Sequence, residues 1–290
     1  MHKRKLWLII VIPVLLILCL TLGISIWLSA TKLTVTNYST EQDITESVRI
    51  VHLTDLHNRK FGKNNEKLVK KTAAEEPDLI FMTGDMINQD DADTDTVCSL
   101  VKQLAEIAPV YYGYGNHEKY WEESSEKELR ERLTEAGAIV LNCEYVDVTV
   151  KGQDVRIGGY YSYYRQPGMV TKDENQKKKE LAFADAFENT DRLKLLLCHI
   201  PTAWIDWEYM NKYPVDVVFS GHYHGGQIRL PFIGGIYAPY VGWFPENTKG
   251  IFEGSEAVCV LSAGLGNESR IPRINNLPEI VTVDLLPRGN

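Results

Sequence analysis

The stretch VRIVHLTDLH, residues 48–57, decides the fold class. Its apolar and β-branched start, residues 48–54, predicts a buried strand. Asp55 and His57 follow at once, and alternate residues of an extended segment point to the same side. A strand that ends in an acid and a histidine therefore predicts that both side chains reach one ligand at its carboxyl end.

The same order of strand and polar residue recurs along the chain. Buried strands are predicted at residues 78–83, 110–113, 193–198 and 215–220. The polar residues that follow them directly are Asp85, Asn116, His117, His199, His222 and His224. Because ligands bind at the carboxyl ends of strands in α/β folds, five strands are expected to deliver Asp, Asn and His side chains to one edge.

Helical stretches at residues 64–76, 94–107 and 121–136 separate the first strands, which predicts parallel β-α-β units. The second half of the chain is richer in strands, with further ones predicted at residues 139–141, 145–150, 155–158, 257–262 and 280–285. A two-sheet α/β sandwich flanked by helices fits both halves. No repeat or Gly/Ser-rich linker interrupts the chain after residue 48, so one domain is expected over residues 48–290.

The start of the chain differs in kind from the rest. Residues 3–5 are basic, and residues 6–28 then contain no charge. Because about 20 apolar residues are enough to cross a bilayer, this stretch is long enough to span one. We predict a cytoplasmic basic start and a transmembrane anchor over residues 1–30, a tether over 31–47, and an extracytoplasmic domain. The alternative is a signal peptide cleaved near Thr31, for which Leu28-Ser29-Ala30 is a poor match.

Charge narrows the range of partners. The whole chain has a formal net charge of −8 and its first 30 residues contribute +3, so residues 31–290 carry −8 − 3 = −11. A domain this acidic is a poor candidate for wrapping nucleic acid or adhering broadly to an anionic membrane. The five cysteines show no C-x-x-C pair and are interpreted as small buried hydrophobes.

The polar residues at the strand ends form a metal-ligand set. The seven candidate ligands are Asp55, His57, Asp85, Asn116, His199, His222 and His224. Carboxylate, amide oxygen and imidazole donors suit Mn²⁺, Fe or Zn²⁺, and we expect Mn²⁺. Seven ligands exceed what one ion uses, so two divalent ions that share a carboxylate are predicted. Two such ions would attract a phosphate ester and activate water to attack it.

The series Asp55-x-His57, Gly84-Asp85, Gly115-Asn116-His117-Glu118, His199 and Gly221-His222-x-His224 resembles the calcineurin-like metallophosphoesterase family. The resemblance implies a four-layer α/β/β/α sandwich behind the anchor helix. It implies that Asp55, His57, Asp85 and His224 bind one ion, that Asp85, Asn116, His199 and His222 bind the other, and that Asp85 bridges them. It also implies that His117 contacts the phosphate and protonates the leaving group. Asn88 stands where many members have an acidic residue.

The tail of the chain is similar to the exported or membrane-anchored bacterial branch of that family, which includes enzymes resembling UDP-diacylglucosamine pyrophosphatase. We therefore expect hydrolysis of a phosphodiester or pyrophosphate, lipid-linked or in the cell wall, at the outer membrane face. The alternatives are a nucleotide or phosphoprotein phosphatase and a non-catalytic scaffold with the same fold.

Two groups of residues remain open at this point. Arg229, Arg270 and Arg273 are candidates for a bidentate phosphate clamp, and we assign Arg273 to substrate binding. The other group lies either in the core or on a rim that faces the membrane or the substrate, and consists of Trp204, Trp207 and Trp243.

Overall fold

The computed structural model describes residues 2–90, 94–125, 128–238, 241–267 and 271–289. Two six-stranded sheets form the centre of the protein. The first sheet contains β1 (Thr34–Gln42), β2 (Val48–Leu53), β3 (Leu79–Met82), β4 (Val110–Gly113), β5 (Ala138–Leu141) and the final strand β16 (Glu279–Pro287). Its order is β1-β16-β2-β3-β4-β5, and β2 to β5 run parallel.

The second sheet has the order β14-β15-β9-β8-β7-β6. Its strands are β6 (Glu144–Val150), β7 (Gln153–Gly159), β8 (Leu193–Leu197), β9 (Val217–Ser220), β14 (Gly250–Glu253) and β15 (Val258–Leu261). The four central strands are parallel, and antiparallel β6 and β14 form the two edges. Between β9 and β14 lie two small hairpins, β10 (Arg229–Leu230) with β11 (Gly234–Gly235) and β12 (Tyr237–Ala238) with β13 (Gly242–Trp243).

Alternation along the strands builds the layers. Ile50 and Phe81 of the first sheet pack against Leu195 and Phe219 of the second in a core between the sheets. Their chain neighbours point to the opposite faces, where they pack against helices. The helices on the first sheet are α2 (Glu66–Ala74), α3 (Asp95–Ala105) and α5 (Glu128–Glu135), and those on the second are α6 (Glu174–Glu188) and α7 (Thr202–Ile205). The predicted four-layer α/β/β/α sandwich is confirmed.

Two further helices complete the described chain. Helix α4 (Asn116–Ser125) starts inside the Asn116-His117 motif. Helix α1 (His2–Thr31) contains one stretch, Ile9–Thr31, that is apolar and long enough to cross a membrane. The most apolar part of that stretch is not buried against the domain, whereas Ser29 near its end is. Membrane anchors and N-terminal signal sequences share this length and composition.

The structure corrects the sequence prediction in two places. The tether predicted over residues 31–47 is wrong for Thr34–Gln42, which forms edge strand β1 and pairs in parallel with β16. Of the helix predicted at 121–136, the structure describes 121–125 as the end of α4 and Glu128–Glu135 as α5. Helix α6 was not predicted, although Asp173 caps it by accepting hydrogen bonds from the backbone of Asn175 and Gln176.

Candidate metal centre

The predicted ligands lie on loops with an unusual backbone. Five of the seven have a positive φ, with values of 53° for Asp55, 49° for His57, 50° for Asp85, 72° for His222 and 48° for His224. Residues other than Gly, Asn and Asp rarely adopt this left-handed conformation, which costs about 1–3 kcal/mol for each residue. The contacts around these residues must therefore hold the ligand loops in place.

The structure brings six of the ligands into two groups. Asp55, His57 and His224 form one group, and Asp85, His199 and His222 form the other. Within each group the ligand atoms lie within 4.8 Å of one another, and every one of these side chains is buried. The grouping agrees with the division between two ions that the family resemblance implies. The seventh predicted ligand, Asn116, has a buried Oδ1 atom that accepts no hydrogen bond from the described residues.

Glycines create the space for the two carboxylates. A Cβ added to Gly115 would lie 2.2 Å from Asp85 Oδ1, and one added to Gly221 would lie 2.3 Å from Asp55 Oδ2. Both distances are far below van der Waals contact, so any larger residue would displace the carboxylate. The glycines of the Gly115-Asn116 and Gly221-His222 motifs are therefore required by packing against the site.

Glu118 holds the Asp85 loop. Its buried carboxylate accepts hydrogen bonds from the backbone of Asp85 and Met86 at 2.8 Å and of Gly115 at 2.9 Å. The hydroxyl of Tyr112 donates a fourth, also at 2.8 Å. One side chain thus fixes the loops that follow two neighbouring strands of the first sheet.

Hydrogen bonds orient two of the histidine ligands. Asn88 Oδ1 lies 3.1 Å from Nδ1 of His57, while its amide nitrogen donates to the His57 carbonyl. His199 Nδ1 donates to the carbonyl of Thr83 at 2.8 Å. In both rings this assignment places a proton on Nδ1 and makes Nε2 the ligand atom; in His199 that atom lies 3.0 Å from Asp85 Oδ2, where a metal ion would replace its proton. The amide of Asn88 therefore takes over the contact that an acidic residue would make.

The loop of His224 is held differently. The side-chain amide of Asn276 donates to the His224 carbonyl at 2.6 Å. Arg273 is almost fully buried behind the ring, with Nη2 3.4 Å from His224 Nδ1, and it donates to the carbonyls of Gly266 and Ala263. Burial lowers the pKa of His224 well below its usual range, and the charges of His57 and Arg273 add to this shift. His224 is therefore neutral, as a metal ligand must be.

The electrostatics of the centre favour a cation. Burial raises the pKa of Asp55 to about 6; the charge of His199 opposes this shift and that of Asp85 adds to it. Burial also raises the pKa of Asp85, but the charge and hydrogen bond of His199 outweigh it and hold that pKa well below its usual value. No Lys or Arg forms an ion pair with either carboxylate in the part of the chain that the structure describes. Two buried acids with histidine as their ion-pair partner form a site that divalent ions would neutralise.

His117 lies beside the ligands and belongs to neither of the two groups. The backbone N–H of Gln89 donates to its Nδ1 at 2.9 Å, so the proton of the neutral ring is on Nε2. That Nε2 lies 3.9 Å from Asp85 Oδ2, and the ring packs edge-on against His57. His117 thus presents a donor toward the space between the ligands, which fits contact with a phosphoryl oxygen or a leaving group.

Sequence reasoning missed several residues that shape the site. Thr83 and Gln89 act through backbone groups, which no side-chain pattern reveals. Asn276 lies far from the motifs in sequence, and only the fold brings it to His224. Glu118 was visible as part of a motif but its role was not. Of the proposed arginines, Arg270 lies outside the described residues, while Arg229 donates to the Gly225 carbonyl and the Thr248 hydroxyl.

The comparison with known proteins agrees with this geometry. Residues 48–226, more than half of the chain, match the calcineurin-like phosphoesterase family. The chain belongs to that family. The assignment makes it a phosphoester hydrolase, and the family depends on two metal ions.

Relatives of this chain come from several bacteria. The metallophosphoesterase YkuE of Bacillus subtilis is 30% identical over 83% of this chain and 79% of its own length. Phosphodiesterase YaeI of Escherichia coli is 25% identical over 82% of each chain. UDP-2,3-diacylglucosamine pyrophosphatase LpxG of Chlamydia muridarum is 25% identical over 80% of this chain and 82% of its own length. The similarity therefore extends well beyond the motif loops.

Proposed function

We propose that this phosphoesterase hydrolyses a phosphodiester or a pyrophosphate at the outer face of the membrane, with two divalent ions in the centre described above. The observation that carries the proposal is the pair of buried ligand groups with His117 beside them. A phosphodiesterase and a pyrophosphatase among the relatives support this substrate class over a phosphoprotein. The apolar helix α1 supports the location.

Each of the two ligand groups would bind one ion. Asp55, His57 and His224 would hold one, and His199 and His222 the other. Asp85 belongs to the second group, with Oδ2 3.0 Å from His199 Nε2, and its electrostatic interaction with His57 supports a role in both sites. Asn116, whose carbonyl oxygen is buried without a hydrogen-bond partner among the described residues, would complete the second site. The mixed oxygen and nitrogen donors fit Mn²⁺, with Fe and Zn²⁺ as alternatives.

When bound, two divalent ions lower the pKa of water and neutralise charge on the phosphoryl oxygens. The chain's own groups do the rest. Asn88 and Thr83 hold the rings of His57 and His199 in position. His117 Nε2–H donates to a phosphoryl oxygen or passes its proton to the leaving oxygen, while Gln89 keeps the opposite ring nitrogen occupied.

Arg273 has a different role in this proposal from the one predicted. Its guanidinium donates to two backbone carbonyls and lies against the far side of the His224 ring. This placement favours positioning of His224 over direct contact with phosphate.

The test is metal reconstitution of the full chain in detergent. The apoprotein is loaded with Mn²⁺, Fe²⁺, Zn²⁺ or Mg²⁺ and assayed on an aryl monoester, an aryl phosphodiester and a nucleotide-linked pyrophosphate. We expect metal-dependent turnover that is faster on the diester or the pyrophosphate than on the monoester. A clear preference for the monoester would contradict the proposed substrate class. Binding of two ions with no turnover of any of the three substrates would support the scaffold alternative.

The location has its own test. In intact cells, an extracytoplasmic domain is expected to be digested by added protease, and an anchored chain keeps its N-terminal residues in the membrane fraction. A soluble product that starts near Thr31 would contradict the anchor.

A further inference from the structure

The two small hairpins that follow His224 expose an unusual amount of apolar surface. Phe232 is fully exposed, and Trp243 and Phe244 are 68% and 66% exposed. Ile233 and Val241 are exposed beside them. The sequence from residue 230 to 245 contains no charged residue. We call residues 229–238 and 241–244, which contain β10–β11 and β12–β13, the apolar hairpins. Contiguous exposed apolar surface marks a site of interaction with a protein or a membrane.

Contacts fix the base of the apolar hairpins beside helix α1. The backbone N–H of Asn275 donates to Ser25 Oγ of the helix at 2.6 Å. The side-chain amide of Asn275 donates to the carbonyl of Arg229, the first residue of β10, at 3.2 Å. Arg229 N–H in turn donates to the carbonyl of Ile274. One residue, Asn275, thus joins the hairpin to the apolar helix.

The position of Ser25 sets the depth of the hairpins relative to a bilayer. Ser25 lies six residues before Thr31, the end of α1, which is about 9 Å along a helix axis. The uncharged residues of the helix before Ser25, 6–24, are 19 residues with a length of about 28 Å, close to the roughly 30 Å hydrocarbon core. The contact with Ser25 therefore lies near the boundary between acyl chains and headgroups. Tryptophan and other amphipathic aromatic residues are enriched at that level.

The hairpins are also joined to the metal centre. Arg229 Nη1 donates to the Gly225 carbonyl at 2.7 Å, and Gly225 is the residue after His224. Gly226 packs backbone to backbone against Gly235 of β11, since a Cβ added to Gly226 would lie 2.6 Å from Gly235 Cα. A surface at the depth of the headgroups is thus coupled through a few residues to a metal ligand.

We propose that the apolar hairpins insert into the interfacial layer of the bilayer that holds α1, and that they keep the metal centre close to the lipid headgroups. The substrate is then a phosphodiester or pyrophosphate carried by a membrane lipid. This rests on the proposed function. The net charge of −11 over residues 31–290 is consistent with insertion by apolar contact, because an acidic domain gains nothing from anionic headgroups.

Insertion is tested without reference to activity. The full chain is placed in phosphatidylcholine nanodiscs with ordinary or brominated acyl chains, and the emission of Trp243→Phe is subtracted from that of the wild type. The subtraction cancels Trp7 and Trp27 of helix α1. We expect brominated lipid to quench the Trp243 component by about half or more, as for an interfacial tryptophan.

The control is Trp207→Phe, which removes a partly exposed tryptophan that stacks on Tyr163. Its difference emission is expected to be the same in both kinds of nanodisc. A Trp243 component that is unaffected by brominated lipid and is quenched by iodide in water would overturn the proposal, and would indicate a protein partner for this surface.

The substrate class is tested with the double variant Phe232→Ser/Ile233→Ser. Two probes are compared: bis(4-nitrophenyl) phosphate in solution and the 4-nitrophenyl ester of phosphatidic acid in phosphatidylcholine vesicles. We expect kcat/KM on the vesicles to fall about tenfold, because two large apolar side chains no longer enter the lipid, while turnover in solution changes less than about twofold.

Each other result separates the two proposals. An equal loss on both probes, or no loss on the vesicles, would overturn insertion as the route to substrate. A wild type that hydrolyses the soluble ester and not the lipid ester would overturn the lipid substrate and leave the phosphoesterase intact. Quenching of Trp243 in a protein that hydrolyses neither ester would overturn the proposed function and the lipid substrate with it, and would leave only the insertion. Thermal unfolding of each variant checks that it is folded.

Discussion

The loops that follow the first sheet and those that follow the second bring different chemistry to the metal centre. The first sheet supplies both carboxylates, Asp55 and Asp85, together with His57 and Asn116, and holds the Asp85 loop through the side chain of Glu118. The second sheet supplies His199, His222 and His224. The charge that attracts cations thus comes from one sheet, and the ligands from the other sheet are all histidines.

The difference has a physical basis. A buried carboxylate is costly unless it is paired and hydrogen-bonded, so the first-sheet loops need a dense set of donors. A histidine ligand needs only its other ring nitrogen fixed, which for His199 is done by a backbone carbonyl. The largest losses are therefore expected from changes on the first-sheet loops, and the following variants rank those changes.

Asp85→Ala is expected to have the largest effect. It removes the carboxylate of the second ligand group, which we propose also binds the first ion, so both ions are lost and activity falls to the background rate. Metal content by mass spectrometry and turnover of an aryl phosphodiester measure this. Asp154→Ala, which removes an exposed aspartate, is the matched control. A variant that keeps two ions would show that Asp85 is not shared.

His117→Ala should separate catalysis from metal binding. The ring is held by Gln89 and is not in either ligand group, so both ions stay while kcat falls about 10²–10⁴-fold, as for loss of a general acid. Metal content and kcat are measured on the same preparation. Loss of metal equal to that of Asp85→Ala would make His117 a ligand and refute its catalytic assignment.

Glu118→Gln tests the support of the first-sheet loops. The glutamine side chain has one acceptor oxygen in place of two, and its NH₂ group would face backbone N–H donors. We expect a loss of about 2–4 kcal/mol in unfolding free energy and metal affinity weaker by about 10–100-fold. Urea unfolding and metal titration provide the measurements, with exposed Glu135→Gln as control. Unchanged stability would mean that the network is dispensable.

Asn88→Ala is expected to have the smallest effect of the four. It removes the partner of His57 Nδ1 and leaves every ligand in place, so affinity for one ion falls about tenfold while the other is retained. Stepwise titration with Mn²⁺ distinguishes the two sites. An equal weakening of both steps would argue against the division into two groups. Asn88→Asp is expected to restore the affinity, because a carboxylate accepts the same hydrogen bond.

The sequence predicted most of what side chains do locally. Strand β4 was predicted with its observed bounds, because a short apolar run between Pro109 and the Gly115 motif has few alternatives. The two ligand groups contain only predicted residues, since the motifs carry their chemistry in adjacent side chains.

The rest depended on contacts between distant segments. Strand β1 looked like a polar tether because its partner β16 lies at the other end of the chain. Helix α6 was missed because it buries a narrow face, chiefly Phe183, Ala184 and Phe187, beneath a charged surface. From the sequence, Arg273 can only be placed in a loop. The packed structure shows that it contacts His224 and two backbone carbonyls.

Strand β16 has a consequence for the order of folding. It lies between β1 and β2, so the first residues of the domain find their neighbours only when the last ones have been synthesised. Until then β1 has no partner and β2 has one open side, and an unpaired edge of this kind invites association with other chains. Closure of the first sheet is a long-range event, which favours slow folding after synthesis over stepwise folding from the N-terminus. A ribosome-stalled chain lacking residues 279–287 is therefore expected to be protease-sensitive throughout the first sheet.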